Sequence, residues 1–168
     1  HHLDKATSGL LLLALNRDSA AALSAQFAEK TMRKTYLALG THKPAKKQGW
    51  VKGGMVRSRR GTWKLTRDED NFAVTRFSSQ SLKPGLRLFV LQPFTGKTHQ
   101  LRVAMKSIGS PILGDTLYGG DEAEHLFLHA WRLVFDYRGE HFDIRVAPDK
   151  TWPSEIDLSA CLGSDESE

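Results

Sequence analysis

The sequence predicts an α+β domain built around a mixed, largely antiparallel sheet. Segments with the length and alternation of strands outnumber the segments with helical spacing. Two strand-like segments are joined by the turn sequence KPG at Lys83–Gly85, which is typical of an antiparallel pair. The chain has 168 residues without a repeat or an internal linker, so we expect one domain.

The first part of the chain predicts a strand, a helix and a second strand. Leu10–Leu15 is a short, continuous apolar run, typical of a buried strand. Asp18 or Ser19 would cap a helix that continues to about Lys30. Lys34–Leu39, with the sequence KTYLAL, alternates like a half-buried strand. We therefore expect the chain to enter the sheet twice within its first forty or so residues.

The rest of the chain adds more strands than helices. Ala73–Ser79 and Leu86–Leu91 form the strand pair on either side of the KPG turn. A turn at Thr95 leads into a helix that ends near Gly109, and Pro111–Gly120 is loop-like. The last two predicted strands are Leu126–Tyr137 and His141–Val146.

Basic residues concentrate in one segment of the chain. Lys and Arg number 24 and Asp and Glu 19, which gives a formal net charge of +5. Between His42 and Arg67 there are nine Lys or Arg and no Asp or Glu, together with Trp50 and Trp63. This mixture is typical of a flexible surface that contacts phosphates and bases, and the alternative is a solvated loop that balances the acidic C-terminus. The residues of the segment that we expect to contact RNA are Lys46, Lys47, Arg57, Arg59 and Arg60.

Cysteine content and hydropathy limit the compartment. Cys161 is the one cysteine, so the chain can form neither an internal disulfide nor a cysteine metal cluster. The longest apolar run, Leu10–Leu15, is too short to span a bilayer, and no secretory signal is visible. We expect a cytoplasmic protein without membrane contact. Because the chain begins at His1 inside a motif, we also expect further residues upstream.

The segment TGKTHQ, Thr95 to Gln100, has the setting of a phosphate-binding loop, between a strand and a helix. The Walker pattern fails, because Leu91 stands where its first glycine is needed and Pro93 removes a backbone donor. A nucleotide-hydrolysing enzyme is therefore a weak alternative. A helix N-terminus with Lys97 still suits one phosphate of a larger ligand.

Two other patterns have a bland and a chemical interpretation. His125 and His129 are spaced i, i+4, but the segment predicts a strand and no glutamate completes a zinc-binding HExxH motif, so we expect structural histidines and no metal. Asp4, in HLDKATSG, taken alone indicates a turn or cap residue as readily as a catalytic carboxylate.

Four motifs in order resemble the RluA family of RNA pseudouridine synthases. HHLDKATSGLLLLAL is similar to the family's active-site motif H-R-L-D-x-x-T-S-G-L-L, and RKTYLAL to its K-x-Y-x-A motif. PFTGKTHQLRVAMKSIGSPILGDTLYG resembles its third block, and LFLHAWRL its late L-x-L-H-A segment. The likeness covers His1 to about Pro148. It implies a pseudouridine-synthase-like sheet flanked by helices and loops, over an N-terminally incomplete catalytic domain 1–153 with an acidic tail 154–168.

The resemblance implies an enzyme that isomerises uridine in ribosomal or transfer RNA without a cofactor, acting as a monomer. It assigns the catalytic carboxylate to Asp4, places Tyr36 against the base, where its hydroxyl serves proton removal at C5, and pairs Arg102 with Asp4. The substrate-binding residues implied are His2, Leu3, Thr7, Ser8, Gly9, Thr95, Gly96, Lys97, His99, Gln100 and Leu101. The rigid turn TSG and the following leucines would hold Asp4 in a cleft.

The sequence departs from the family pattern at three positions: His2 and Lys97 replace arginines, and Ala104 replaces a common histidine. The change at His2 motivates an alternative, an inactive RNA-binding module of the same fold. A glycosidase with paired carboxylates is a further alternative, for which Asp115 would be the second carboxylate. In the family-like segment LGDTLYG we expect Asp115 to be structural.

Overall fold

The computed structural model describes residues 6–11, 16–29 and 31–162. The helices are α1 (Arg17–Ala28) and α2 (Gln100–Ser107). The strands are β1 (Ser8–Gly9), β2 (Arg33–Gly40), β3 (Gly49–Arg57), β4 (Trp63–Thr66), β5 (Phe72–Lys83), β6 (Leu86–Pro93), β7 (Leu128–Tyr137) and β8 (Glu140–Arg145). Short 3₁₀ turns lie at Arg59–Gly61, Thr116–Tyr118 and Ala160–Leu162. None of the helices in these ranges is long and apolar enough to cross a membrane.

All eight strands belong to one sheet, in the order β1-β7-β2-β6-β5-β3-β4, with β8 also paired to β7. The pairing of β1 with β7 is parallel, and the other pairings are antiparallel. The mixed, largely antiparallel sheet that the sequence predicts is therefore confirmed. So is the hairpin of β5 and β6, whose tight turn places Gly85 at a φ of 80° that glycine adopts without strain.

Helix α2 covers one face of the sheet. Its apolar side chains Leu101 and Met105 pack over Phe77, Phe89 and Leu91 of the central strands. Because side chains alternate along a strand, Tyr36 of β2, which pairs with Leu91, points to this same face. We refer to it as the α2 face.

The C-terminal segment covers part of the opposite face. Trp152 and Cys161 are buried there with Leu37, Leu88 and Trp131, and Ile156 and Leu158 pack against the same cluster. The described part of the predicted tail, 154–162, therefore contributes to the core. Burial also raises the pKa of the Cys161 thiol to about 11, which keeps it protonated at neutral pH.

Two predicted boundaries near the N-terminus differ from the structure. The cap of α1 is Asn16, whose side chain accepts a hydrogen bond from the Ser19 amide, and not Asp18 or Ser19. In the described part of the predicted strand Leu10–Leu15, Leu10 and Leu11 are not in a strand and Leu11 is 47% exposed; residues 12–15 lie outside the described residues. The parallel pairing stops at Gly9 because β8 occupies the same edge of β7 from residue 132 onward.

The basic segment is more regular than the predicted loop with short strands. It forms the hairpin of β3 and β4, and β3 has nine residues and also pairs with β5. Strand β7 begins at Leu128, two residues later than predicted. His129 therefore lies on the strand, and His125 precedes it. His125 bonds to the Thr151 hydroxyl and the Leu126 carbonyl oxygen.

Candidate active site

A pocket opens on the α2 face, between the end of β6 and the start of α2. Its empty volume is about 630 Å³, part of it open to solvent. Eight residues that the sequence predicts for the site line it: Thr7, Tyr36, Thr95, Gly96, Lys97, His99, Gln100 and Leu101. The other lining residues are Phe27, Lys34, Pro93, Thr98 and Leu128. The predicted residues His2, Leu3 and Asp4 lie outside the described residues.

Tyr36 is placed by the centre of the sheet. Strand β2 pairs with β6 on one side, where Tyr36 is opposite Leu91, and with β7 on the other, where it is opposite Ala130. The register with β7 shifts between Thr35 and Tyr36, as in a β-bulge, which re-aims the side chains on either side of it. Lys34 and Tyr36, two residues apart on β2, share a face of the strand and both line the pocket.

Gln100 fixes the loop in front of α2. Its amide oxygen accepts hydrogen bonds from the Thr95 hydroxyl at 2.7 Å and from the Lys97 amide at 3.1 Å. Its amide nitrogen donates to the Val74 carbonyl oxygen and the Thr75 hydroxyl, both at 2.9 Å. With both ends of its side chain bonded, this buried residue holds the loop 95–97 against β5. Gln100 was predicted to bind substrate, and in the structure it forms part of the pocket wall.

Arg102 is held by Asp115 through two parallel hydrogen bonds. Its Nε lies 2.9 Å from one carboxylate oxygen and its Nη2 2.8 Å from the other. The Asp115 side chain is 1% exposed and that of Arg102 is 14% exposed, so the pair is shielded from water. The expected contact of Arg102 with Asp4 involves a residue outside the described ranges, whereas Asp115 is the carboxylate that the structure brings to this guanidinium.

His99 joins Arg102 to a buried tyrosine. The Arg102 Nη1 lies 3.2 Å from the His99 Nε2, and because a guanidinium only donates, that nitrogen must accept. The His99 Nδ1 therefore carries the proton and donates to the Tyr118 hydroxyl oxygen at 2.7 Å. The same oxygen accepts the Trp63 amide of the β3–β4 hairpin at 2.9 Å. His99 is the N-cap of α2 and its backbone has a φ of 57°, a left-handed conformation that is uncommon for residues other than glycine.

Lys34 is a pocket residue that the sequence argument used only as part of the K-x-Y motif. Its Nζ lies 4.5 Å from the centroid of the Phe27 ring. Burial lowers the pKa of Lys34 from 10.5 to about 8, so its charge is partly lost in mildly alkaline solution. The sequence feature that could have identified Lys34 is its position two residues before Tyr36 on a half-buried strand, which puts both side chains on the same face.

The segment after Asp4 is fastened to β7. The His129 Nε2 faces the Val146 carbonyl oxygen at 2.6 Å and must donate to it, so its Nδ1 accepts the hydroxyl of Ser8 at 2.8 Å. Gly9 has a φ of 101°, and a Cβ there would lie 2.2 Å from the Ala130 carbonyl oxygen. Ser8 and Gly9 were predicted to bind substrate, but in the structure they contact β7 and do not line the pocket. Thr7, the residue before them, does line it.

The five predicted RNA-contact residues are exposed but do not form one patch. Lys46 and Lys47 precede β3, whereas the arginines Arg57, Arg59 and Arg60 lie at the far end of the β3–β4 hairpin. The length of β3 separates the two groups by about 26 Å. Arg57 stacks on Trp63 with its Cζ 5.4 Å from the ring centroid, next to the His99 and Tyr118 pair.

The described ranges contain no group of three His, Cys, Asp or Glu side chains arranged to hold a metal ion. His129 is committed to Ser8 and Val146, and His125 to Thr151 and Leu126. Both ring nitrogens of each of these histidines therefore have hydrogen-bond partners within the protein.

Comparison with known proteins gives consistent similarities. A family model described as RNA pseudouridylate synthase matches residues 1–107. A relative in Haemophilus influenzae, an "uncharacterized RNA pseudouridine synthase", is 55% identical over 152 residues, covering 89% of this chain and 68% of the relative. Ribosomal large subunit pseudouridine synthase C of Rickettsia bellii is 43% identical over 172 residues, covering 98% of this chain and 53% of the relative.

The fold is also similar to solved structures. The human RNA pseudouridylate synthase domain containing 1 superposes with a TM-score of 0.72 at 28% identity, over 96% of this chain and 71% of that one. The human RNA pseudouridylate synthase domain containing 4 superposes with a TM-score of 0.73 at 26% identity.

Proposed function

The chain belongs to the RluA family of RNA pseudouridine synthases, and from this premise we propose that it isomerises specific uridines of ribosomal or transfer RNA to pseudouridine, with Asp4 as the catalytic carboxylate. The observation that carries the proposal is the pocket on the α2 face. Tyr36, Lys97 and His99 line it, and His99 is hydrogen-bonded to Arg102. The chain spans 68% of the Haemophilus relative and 53% of the Rickettsia bellii relative, so the activity of the whole protein is part of this proposal.

The reaction exchanges one bond of the uridine for another. The bond between N1 of the base and C1′ of the ribose breaks, the base turns, and a bond between C5 and C1′ forms, while the proton on C5 leaves and N1 takes up a proton. Nothing is oxidised or reduced and no other group is consumed, so the chemistry requires no cofactor. A carboxylate near the sugar acts as nucleophile or base, which is the role we propose for Asp4.

Tyr36 is suited to holding the detached base. It projects from a central strand of the sheet, so its ring has a fixed position on the pocket floor. We propose that the ring stacks on the base and that the hydroxyl serves removal of the C5 proton. Thr7 contributes a hydroxyl that is buried and has no hydrogen-bond partner within the described ranges, and a substrate polar group would satisfy it.

Arg102 would orient Asp4 through a guanidinium whose direction Asp115 sets. Because Asp115 already neutralises Arg102, the contribution to Asp4 is a directed N–H donor more than a net positive charge. Lys34 and Lys97 supply the cationic part of the pocket lining, which suits the phosphates of the substrate nucleotide.

RNA is the proposed partner, and the uridine must leave its stack to enter the pocket, since C1′ and C5 are shielded within a helix. In the β3–β4 hairpin, Arg57 stacks on Trp63, whose amide shares the Tyr118 hydroxyl with His99 of the pocket lining. This hairpin would contact the RNA next to the pocket. We further propose that the protein acts as a monomer in the cytoplasm.

The direct experiment measures tritium released from RNA labelled at uridine C5, with unmodified ribosomal and transfer RNA as substrates. We expect release by the parent protein and none by Asp4→Asn, with Asp68→Asn, an exposed loop aspartate, as the matched control that keeps activity. RNA binding by Asp4→Asn should equal that of the parent.

The second candidate function, an inactive RNA-binding module, is motivated by His2 in place of the family arginine. Under it, the parent binds RNA but releases no tritium from any substrate. The two functions therefore differ in one measurement.

A further inference from the structure

An exposed tryptophan lies on the face of the sheet opposite the pocket. Trp50 of β3 is 42% exposed and pairs across the sheet with Arg76 of β5. Its neighbour Val51 points to the α2 face, so alternation places Trp50 on the other one. A single exposed aromatic side chain is common on protein surfaces, so the groups around Trp50 decide what it indicates.

The surroundings of Trp50 combine an aromatic neighbour with positive charge. The Phe94 ring lies 5.4 Å from the Trp50 ring, with 30° between their planes. The Lys52 Nζ and the Arg76 Cζ lie 5.0 and 5.7 Å from the Trp50 centroid. Aromatic faces that accept bases, combined with cations that contact phosphates, are the components of sites for single-stranded nucleic acid.

A short piece of backbone connects this surface to the pocket. Phe94, beside Trp50, is followed directly by Thr95, Gly96 and Lys97, which line the pocket on the α2 face. The loop is pinned at the sheet end, because the Thr95 hydroxyl oxygen accepts the Val74 amide and the Phe94 amide donates to the Val74 carbonyl oxygen. Three residues span at most about 10 Å, so an RNA strand leaving the pocket over Lys97 needs only a short step to reach Trp50.

We propose that Trp50, with Phe94 beside it, is a stacking site for an unpaired base next to the target uridine, and that Lys52 and Arg76 contact the adjoining phosphates. The inference rests on the proposed function, which it deepens by specifying a single-stranded segment around the modified position. Charge complementarity favours RNA as the occupant: the ring is flanked by two cations and the chain has a net charge of +5.

The test separates stacking from phosphate contact by salt dependence. The probe is a labelled single-stranded oligouridylate of about ten nucleotides, and its Kd is measured by fluorescence anisotropy over a range of salt concentrations. Trp50→Ala should raise Kd about tenfold without changing the slope of log Kd against log salt, because a stacked base releases no counterion. Trp50→Phe should restore most of the affinity. Lys52→Gln should lower the slope by about 0.7, the value for one phosphate contact on a single strand.

Phe72→Ala is the matched control. Phe72 is 38% exposed and pairs with Gly54 farther along β3, so its loss should leave Kd unchanged. Equal Kd values for the parent, Trp50→Ala and Trp50→Phe would overturn the proposal. Equal losses of affinity in Trp50→Ala and Phe72→Ala would also overturn it. Either result would mean that Trp50 faces solvent or contacts a protein partner.

Because this binding assay needs no turnover, it is independent of the tritium assay. A tenfold effect of Trp50→Ala on Kd, in a protein that releases no tritium, supports the stacking site and contradicts the catalytic function. Tritium release at the parental rate and KM by Trp50→Ala, with unchanged Kd, contradicts the stacking site and supports the catalytic function.

Discussion

Asp115 binds both Nε and Nη2 of Arg102, at 2.9 and 2.8 Å, and so determines the plane in which the guanidinium lies. The third nitrogen, Nη1, is thereby directed to the side where His99 lies. A guanidinium alone would sample several rotamers, whereas a bidentate carboxylate fixes its orientation. Neither Arg102 nor Asp115 lines the pocket, so the pair adjoins it through His99, which does.

Asp115→Asn should lower kcat by about a hundredfold, because an amide can accept only one of the two bonds and the guanidinium then shifts by up to about 1 Å. Asp115→Glu should recover part of the loss. The measurement is steady-state tritium release with kcat and KM resolved. The matched control is Asp143→Asn, which removes an equally bidentate partner from Arg132 on the β7–β8 pair. It should cost stability but leave kcat unchanged, and equal kcat values for the two asparagine variants would contradict the assignment.

Tyr118→Phe should reduce both stability and activity. The hydroxyl oxygen accepts hydrogen bonds from His99 and from the Trp63 amide, and its removal leaves both partly buried donors without this acceptor, at a cost of about 1 kcal/mol for each. Thermal unfolding and tritium release are the measurements. Tyr137→Phe, which removes a hydroxyl bonded to Ser19, is the matched control and should leave kcat at the parental value. Parental kcat in Tyr118→Phe would show that the His99 orientation does not matter.

Gly9→Ala should abolish activity while changing the melting temperature little. A Cβ at Gly9 meets the Ala130 carbonyl oxygen at 2.2 Å, and the φ of 101° is unsuited to alanine, so β1 cannot dock on β7. Only a two-residue strand is lost, but Ser8 and Gly9, which follow Asp4 in the sequence, lose their contact with β7. Gly85→Ala, at a φ of 80° with no atom near its Cβ, introduces comparable backbone strain elsewhere and should keep activity. Activity in Gly9→Ala would mean that the β1 contact does not position the N-terminal segment.

Lys34→Met should stabilise the fold at neutral pH and weaken RNA binding. Burial lowers the pKa of Lys34 from 10.5 to about 8, so between these pH values the unfolded chain binds more protons than the folded one. The stability of the parent therefore rises with pH across that window, and below it the full cost of burying the charge remains. At neutral pH we expect a Tm higher by about 2–4 °C in the variant, corresponding to ~1 kcal/mol. Melting curves across the window test this, and a Tm difference that does not shrink with rising pH would refute it.

The two basic groups of the β3–β4 region should act independently on RNA. Changing Arg57, Arg59 and Arg60 to Gln should lower the salt slope of binding to unmodified ribosomal RNA by up to about 0.7–0.9 for each lost phosphate contact. Lys46 and Lys47 form the second group, and because about 26 Å separates the groups, the combined variant should show the sum of the two effects. Unchanged salt slopes in both variants would mean that the basic segment is a solvated surface that does not contact RNA.

Strand positions were predictable where the pattern has a period of two. β5 alternates clearly and β2 and β7 alternate over part of their length, whereas β6 contains a continuous apolar run buried on both faces. The KPG turn gives the register of one hairpin. The regularity of β3 was hidden by Gly53 and Gly54, which disfavour a strand in isolation. The structure requires them, because a Cβ would approach the Thr66 and Asp68 carbonyl oxygens to 2.9 and 2.5 Å.

Site residues were predictable by motif, but their partners were not. The likeness to a family singled out Tyr36, Lys97 and His99, and all three line one pocket in the structure. It gave no indication that Asp115 would bind Arg102, since that pair depends on how the loop after α2 folds back over the helix. Trp50 was seen as part of a basic segment, and only the pairing of β3 with β5 shows which face it occupies.

The parallel contact of β1 with β7 has a consequence for the order of events during protein synthesis. Ser8 and His129 are 121 residues apart in sequence. At a translation rate of about 5–20 residues per second, the N-terminal segment leaves the ribosome some 6–24 s before β7 exists to receive it. Ser8 and Gly9 are therefore among the last residues to be ordered, and a nascent chain interrupted before β7 contains them but lacks the strand on which they dock.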